Sequence, residues 1–155
     1  MKAAAFDYAR PAALGEALER LRACEGVAQC MSGSQSLGPM LNLRLVQPDL
    51  LVDLRAIAAL RECRVEDGAV LLGALTTHAA IEDRAVPDAT RGFMPWVARG
   101  IAYRAIRNRG TLGGSLAHAD PAADWVILMA VLEGKAHLVQ LLANVALWTL
   151  SGRRT

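Results

Sequence analysis

Aromatic residues are scarce in this sequence, at 5%, although 54% of it is hydrophobic. A core therefore has to be built mostly from Leu, Ala and Val. Charge of one sign is missing too. With 17 basic and 15 acidic side chains the net charge is +2, which makes no case for nucleic acid or a membrane surface as partner. No run of about 20 uncharged apolar residues exists, so no membrane span is expected. The start, Met1-Lys2-Ala3-Ala4-Ala5-Phe6-Asp7-Tyr8, has no apolar stretch of signal-peptide length. Cysteine is limited to Cys24, Cys30 and Cys63, with no Cys-x-x-Cys pair. Scattered thiols of this kind suit buried packing positions in a reducing cytoplasm better than a disulfide framework. His78, His118 and His137 show no metal-ligand spacing. The sequence also has no Gly-x-Ser-x-Gly elbow, no Walker loop, no Gly-x-Gly-x-x-Gly fingerprint, no internal repeat and no low-complexity linker.

The length, 155 residues, accommodates one domain or two small subdomains. The apolar run Ala3 to Phe6 reads as a first strand. Pro11 suits the first turn of a helix over Ala12 to Ala23, where Leu14, Ala17, Leu18 and Leu21 make one apolar face and Gly26 is the stop. Val27 to Met31 and Pro48 to Leu54 read as strands, and a short helical turn is expected around Ala56 to Ala59. Two strand-like runs flanking Asp67-Gly68 predict a hairpin. Thr76 or Thr77 caps a short helix through Glu82. Pro87 to Gly100 reads as a helix with Phe93, Trp96 and Val97 inward, and Pro121 to Leu132 as one with Trp125, Leu128, Met129 and Leu132 buried. Ala136 to Leu150, uncharged apart from His137, fits either one helix or two strands turning at Ala143-Asn144, and is a candidate apolar edge.

Two stretches carry chemistry. In the first, a strand enters Ser32-Gly33-Ser34-Gln35-Ser36-Leu37, and Leu37 to Leu43 can start a short helix. Consecutive N–H groups in such a loop form an anion-binding nest, although an ordinary strand-to-helix turn has the same composition. The second runs from Ile106 to Trp125 and contains Thr111-Leu112-Gly113-Gly114-Ser115. It reads as a turn in which Gly113 and Gly114 can take positive φ and let backbone approach a ligand, with a hydroxyl on each side. A helix starting near Pro121 would aim free N–H groups back at this turn. Asp120 and Asp124 lie one helical turn apart just beyond. Asp120 reads as the helix cap. Arg107 and Arg109 suit either phosphate neutralisation or a solvated face, and His118 reads as a hydrogen-bonded structural histidine.

The run Ile106-Arg107-Asn108-x-Gly110-Thr111-x-Gly113-Gly114-Ser115, continued by Ala119-Asp120-Pro121-x-x-Asp124, resembles the second FAD-binding signature of the flavoprotein (medium) subunits of molybdenum hydroxylases, the group of carbon monoxide and xanthine dehydrogenases. Ser32 to Leu37, followed by Arg44, resembles that family's first FAD loop, commonly Ala-Gly-Gly-x-Ser-Leu, with Ser34 standing at the second glycine. Gly73-Ala74-x-Thr76 resembles a further family pattern. Serine is less comfortable than glycine if position 34 needs positive φ.

The resemblance implies an α+β fold of two small FAD-binding subdomains, residues 1–55 and 56–155, with FAD extended between them. The implied cofactor-binding residues are Ser32, Gly33, Ser34, Gln35, Ser36, Leu37, Thr111, Leu112, Gly113, Gly114, Ser115 and Asp124. Asp124 also suits the first turn of a helix on dipole grounds alone. The implied partners are a molybdenum-cofactor large subunit and a 2Fe–2S small subunit, and electrons pass through FAD to NAD⁺, a quinone or another acceptor. The protein then binds and tunes the flavin, and no side chain need be a catalytic acid or base. The resemblance also implies a strand pair near Ala136 to Leu150, a basic turn at Ser151 to Arg154, and further sequence in the family beyond Thr155. Weakened FAD binding without autonomous turnover is expected of such a shortened chain. Two competing expectations are a vanillyl-alcohol-oxidase or enolpyruvyl-reductase type relative, which fits the Ile106–Asp124 run less well, and a non-catalytic remnant that only docks to a partner subunit.

Overall fold

A computed structural model describes residues 2–132, 135–138 and 146–150, the last two segments as backbone only. The chain is α+β and divides into two compact units, Met1–Ala59 and Leu60–Thr155.

The first unit is a three-stranded parallel sheet with two crossover helices. Its elements are β1 (Asp7–Ala9), α1 (Leu14–Ala23), β2 (Ala28–Met31), α2 (Leu37–Asn42) and β3 (Leu50–Asp53), in sheet order β1-β3-β2. The central strand β3 carries the buried residues Leu51, Val52 and Asp53. Strand β1 is the exposed edge and lies later than the apolar run Ala3 to Phe6. Pairing rather than hydropathy places it: Asp7 donates to the Asp49 carbonyl at 2.7 Å, which sets Tyr8 opposite Leu51. Helix α1 begins at Leu14, and Pro11 is a buried residue ahead of it rather than part of its first turn. Its stop differs as well. Cys24, in an extended conformation, is the cap, and Gly26 is small for another reason: a Cβ there would lie 2.2 Å from the Asp49 carboxylate, which accepts the Val27 N–H at 2.7 Å. Short 3₁₀ turns at Leu54–Ala56 and Ala58–Arg61 stand in place of a single turn over Ala56 to Ala59.

The second unit opens with the hairpin β4 (Cys63–Glu66) and β5 (Ala69–Leu72). Asp67 and Gly68 have φ of 50° and 78°, the doubly left-handed geometry of a two-residue hairpin turn. Helices α3 (His78–Glu82), α4 (Phe93–Gly100), α5 (Arg104–Arg107), α6 (Leu112–His118) and α7 (Asp124–Val131) follow. Strands β6 (Lys135–Leu138) and β7 (Ala146–Leu150) then complete an antiparallel sheet of order β4-β5-β7-β6. Of the two readings open for Ala136 to Leu150, the strand pair is the one observed, with Lys135 opposite Thr149. The expected turns at Ala143-Asn144 and Ser151 to Arg154, and the question of an apolar edge here, lie outside the described residues.

The core of this unit joins Val70, Leu72, Ile81, Met94, Ala98, Leu112, Leu116, Trp125, Leu128 and Met129. Each fully buried Leu, Ile or Met contributes about 1.5–3 kcal/mol. Helix α4 departs from expectation by a shift of face. Asp88 accepts from Thr90 N–H, Thr90 hydroxyl and Gly92 N–H, and Gly92 turns left-handed at φ 96°, so the helix starts at Phe93. Met94 and Ala98 then point inward, while Phe93 and Trp96 stack on each other outside, Trp96 at 70% exposure. Helix α7 starts at Asp124 rather than Pro121. Asp120 is not its cap: it closes a separate turn, accepting from Ala122 N–H at 2.9 Å.

Candidate functional site

Strand β2 delivers the chain to Ser32 at the carboxyl end of the parallel sheet, the edge where open α/β sheets present ligand sites. Beyond it the loop must turn sharply into α2. Ser34 makes that turn at φ 59°. The left-handed region costs a side-chain-bearing residue about 1–2 kcal/mol. The Ser34 carbonyl accepts the Gly38 N–H at 2.9 Å and the Ser36 carbonyl the Met40 N–H at 3.2 Å, while Gln35 Nε2 donates to the Gly33 carbonyl at 2.7 Å. The Ser34 hydroxyl oxygen is buried and has no hydrogen-bond partner among the described residues. A buried hydroxyl left in that state costs about 1–3 kcal/mol. Arg44, also left-handed at φ 57°, donates to the Lys2 carbonyl and is exposed.

The same unit contains a polar cluster that sequence reasoning missed. Asp53 is fully buried and accepts from Tyr8 hydroxyl (2.5 Å), Arg55 N–H (2.9 Å), Arg55 Nε (2.9 Å) and Arg55 Nη2 (2.8 Å), with Arg10 Nε at 3.7 Å. Burial pushes its carboxyl up, but the Arg55 and Tyr8 hydrogen bonds outweigh that and hold it down at about 2. An Asp ending an apolar strand two residues before an Arg was the available signal.

In the second unit, Thr111 to Ser115 is not a glycine turn. It is the start of α6, and neither Gly113 nor Gly114 has positive φ. Thr111 is the cap, its hydroxyl accepting the Gly114 N–H at 3.1 Å. Leu112 N–H donates to the Thr76 carbonyl (2.8 Å), Gly113 N–H to the Ala74 carbonyl (3.0 Å) and Ser115 N–H to the Thr111 carbonyl (3.0 Å). The donors of this helix start are thus already engaged inside the unit. Gly113 is required for close approach, since a Cβ would lie 2.6–2.8 Å from Ala74 Cβ, O and Cα. Gly110 plays the same part against His78, at 2.7 Å from Cδ2 and Nε2. Asp124 and Ser115 remain on accessible ground, Asp124 exposed and Ser115 half-buried.

The other conspicuous residues of this run are structural. Arg107 is 11% exposed and donates to Glu82 (2.8 Å) and to the carbonyls of Ile101 (3.0 Å) and Ala102 (2.8 Å), so it is not available for phosphate. His118 is exposed. His78 is the buried histidine instead: its Nδ1 accepts from Trp125 Nε1 at 3.0 Å, and burial pushes its pKa down to about 4, with Asp124 opposing and Arg107 assisting. The three thiols are free and half-buried rather than buried, and burial raises Cys30 to about 11, so it is no nucleophile near neutral pH. Among the described residues no group of three or more His, Cys, Asp or Glu could hold a metal ion, and no helix is long and apolar enough to cross a membrane.

Over residues 4–144 the sequence matches the family described as the FAD binding domain in molybdopterin dehydrogenase. It is 38% identical over 133 residues to the 6-hydroxypseudooxynicotine dehydrogenase complex subunit alpha of Paenarthrobacter nicotinovorans, covering 86% of this chain and 45% of that one. To the carbon monoxide dehydrogenase medium chain of Hydrogenophaga pseudoflava it is 36% identical over 134 residues, covering 86% and 46%. A chain of the crystal structure of quinoline 2-oxidoreductase from Pseudomonas putida 86 superposes with a TM-score of 0.83 at 38% identity, covering 96% of this chain and 52% of that chain. The chain spans about half the length of the curated relatives it matches.

Proposed function

Since the chain belongs to the family of FAD binding domains in molybdopterin dehydrogenases, we propose that it carries the flavin of a molybdenum hydroxylase-type oxidoreductase. FAD is the cofactor of this family. The observation that carries the reading to individual residues is Ser34, a strained residue whose buried hydroxyl has no partner among the described residues. A phosphate oxygen is the acceptor such a loop lacks, so the residues present fit the group.

Ser32, Gly33, Ser34, Gln35, Ser36 and Leu37 would hold the diphosphate through N–H and hydroxyl donors. In the second unit the division of labour is different. Thr111, Leu112 and Gly113 hold the start of α6 in place by their own hydrogen bonds. Gly114, Ser115 and Asp124 are the positions left to touch the cofactor. When bound, FAD supplies one- and two-electron redox chemistry; the chain contributes binding, orientation and the local field. In this reading a molybdenum-cofactor large subunit oxidises the substrate and a 2Fe–2S small subunit delivers the electrons. NAD⁺, a quinone or another acceptor takes them, and the complex works in the cytoplasm, in keeping with three free thiols.

The test is an absorption spectrum of the purified chain with FAD titrated in and flavin fluorescence followed. Saturable uptake of weakened affinity is the expected result. A colourless chain that takes up no FAD would sink the reading and favour a remnant that only docks to partner subunits.

A further inference from the structure

His78 is buried and joins the two parts of the second unit that face the cofactor in the reading above. Its backbone N–H donates to the Gly110 carbonyl at 3.0 Å, one residue before Thr111. The Cδ2–Nε2 edge of its ring packs so closely on Gly110 that a Cβ there would lie 2.7 Å away. Its Nδ1 accepts from Trp125 Nε1 at 3.0 Å, one residue after Asp124, with the two rings 5.8 Å apart and tilted by 35°. One residue therefore meets the chain just before the Thr111–Ser115 segment and just after Asp124.

The two segments differ in what else holds them. The start of α6 is capped by the Thr111 hydroxyl. The start of α7 has no such device, since Ala123 stands at its cap and makes no side-chain bond. Asp124 is the first residue of that helix and is exposed, and the buried ring of Trp125 beside it is held by His78. An indole N–H only donates, so this bond requires an unprotonated Nδ1 and places the imidazole proton on Nε2. Burial keeps the ring neutral near pH 7, with Asp124 of α7 opposing and Arg107 of α5 assisting. Apolar packing is non-directional, whereas a hydrogen bond between two buried rings also fixes their rotation.

We propose that His78 is a positioning residue of the flavin site: through Trp125 it fixes the start of α7 and so sets the Asp124 carboxylate relative to Gly114 and Ser115. The inference rests on the FAD reading above and deepens it. His78 touches no cofactor atom in this account. It acts by offering one acceptor at one place, and any side chain that offers the same acceptor does the same work.

The experiment compares wild type, His78→Phe and His78→Asn, each as the full chain, near pH 7. FAD affinity is read by quenching of flavin fluorescence, and the thermal midpoint is read without FAD. Phenylalanine keeps a ring and loses the acceptor; the asparagine amide oxygen can stand where Nδ1 stands. Both variants are expected to melt below wild type, the first for its unmet indole N–H and the second for lost packing. His78→Phe is expected to bind FAD about fivefold to tenfold more weakly, the scale of one hydrogen bond, while His78→Asn recovers most of the affinity. Affinity that follows the acceptor and not the midpoint is what a merely structural histidine would not produce. Should His78→Phe fail to fold, Trp125→Phe removes the same bond from the donor side and is expected to lose the same affinity. If the variant lacking the bond binds FAD as tightly as wild type, or if affinity in His78→Asn falls as far as in that variant, the proposal fails while the FAD reading stands. Should wild type itself take up no FAD, both fail together.

Discussion

Two segments of this protein look alike on paper, Ser32-Gly33-Ser34-Gln35-Ser36 and Thr111-Leu112-Gly113-Gly114-Ser115, each with glycine between hydroxyls. The structure gives them opposite characters. The first holds a strained Ser34 whose buried hydroxyl has no partner among the described residues. The second is closed on itself, with the N–H groups of Leu112, Gly113, Gly114 and Ser115 all bonded within their unit. Composition alone does not make an anion site. What matters is whether the donors are already taken, and that depends on neighbours distant in sequence such as Ala74 and Thr76.

The contrast can be broken most violently at Gly113. Gly113→Val places a side chain inside van der Waals contact of the Ala74 backbone and should cost roughly 3 kcal/mol of stability, at the upper end for overpacking. Urea unfolding measures it. Because folding suffers, this variant reports on the scaffold and cannot by itself diagnose the flavin site. If Gly113→Val unfolded at the wild-type midpoint, the segment would be a pliable loop after all.

Acid should separate the two units more gently. Unfolded, His78 takes up its proton near 6.5; folded, burial delays this to about 4. The unfolded chain therefore binds more protons between those values, and stability is lost as pH falls through that window, by about 2–3 kcal/mol. Asp53 behaves differently. Its carboxyl is depressed from 3.8 to about 2, so its contribution is intact above 3.8 and disappears only as pH drops toward 2. Hydrogen exchange resolved by segment should show α3, α6 and α7 loosening between pH 6.5 and 4, before β1 and β3 change. In His78→Gln the slope across the higher window should flatten; an unaltered slope would assign the effect to other groups.

The smallest expected effect is at Thr111. Thr111→Ala removes the hydroxyl that accepts the Gly114 N–H and should destabilise by about 1 kcal/mol, as loss of a helix cap does. It also frees that N–H. A measurable gain in affinity for FAD on top of the lost stability would mean the closed segment can be converted toward the open type, and would narrow the difference drawn between the two.

Local chemistry was readable in the sequence wherever a residue's own conformational rules decide the outcome. Asp67-Gly68 turns the hairpin, Thr77 caps α3 through Ala80 N–H, and Leu37 opens α2. The buried face of α7 followed from spacing, since Trp125, Leu128 and Met129 lie one turn apart. So did the family, because a motif from Ile106 to Asp124 records residue types directly. Position 34 was legible to the extent that a serine there had to be uncomfortable if the turn was left-handed, and it is.

Which residues meet is set by the folded chain. Edge strand β1 was misplaced because its position is set by Asp49 and Leu51, some forty residues away, rather than by its own hydropathy. The face of α4 was misjudged because the Asp88–Gly92 turn sets the helix start, and one residue of phase exchanges Phe93 for Met94 in the core. Local rules read Gly26 and Gly113 as conformational residues, whereas their neighbours Asp49 and Ala74 make them steric ones. Sequence periodicity and turn chemistry act within a few residues, so they specify elements. Hydrogen-bond satisfaction and close packing act across the fold, so only the folded chain could distinguish the segment with an unmet hydroxyl from the one whose N–H groups are bonded within its unit.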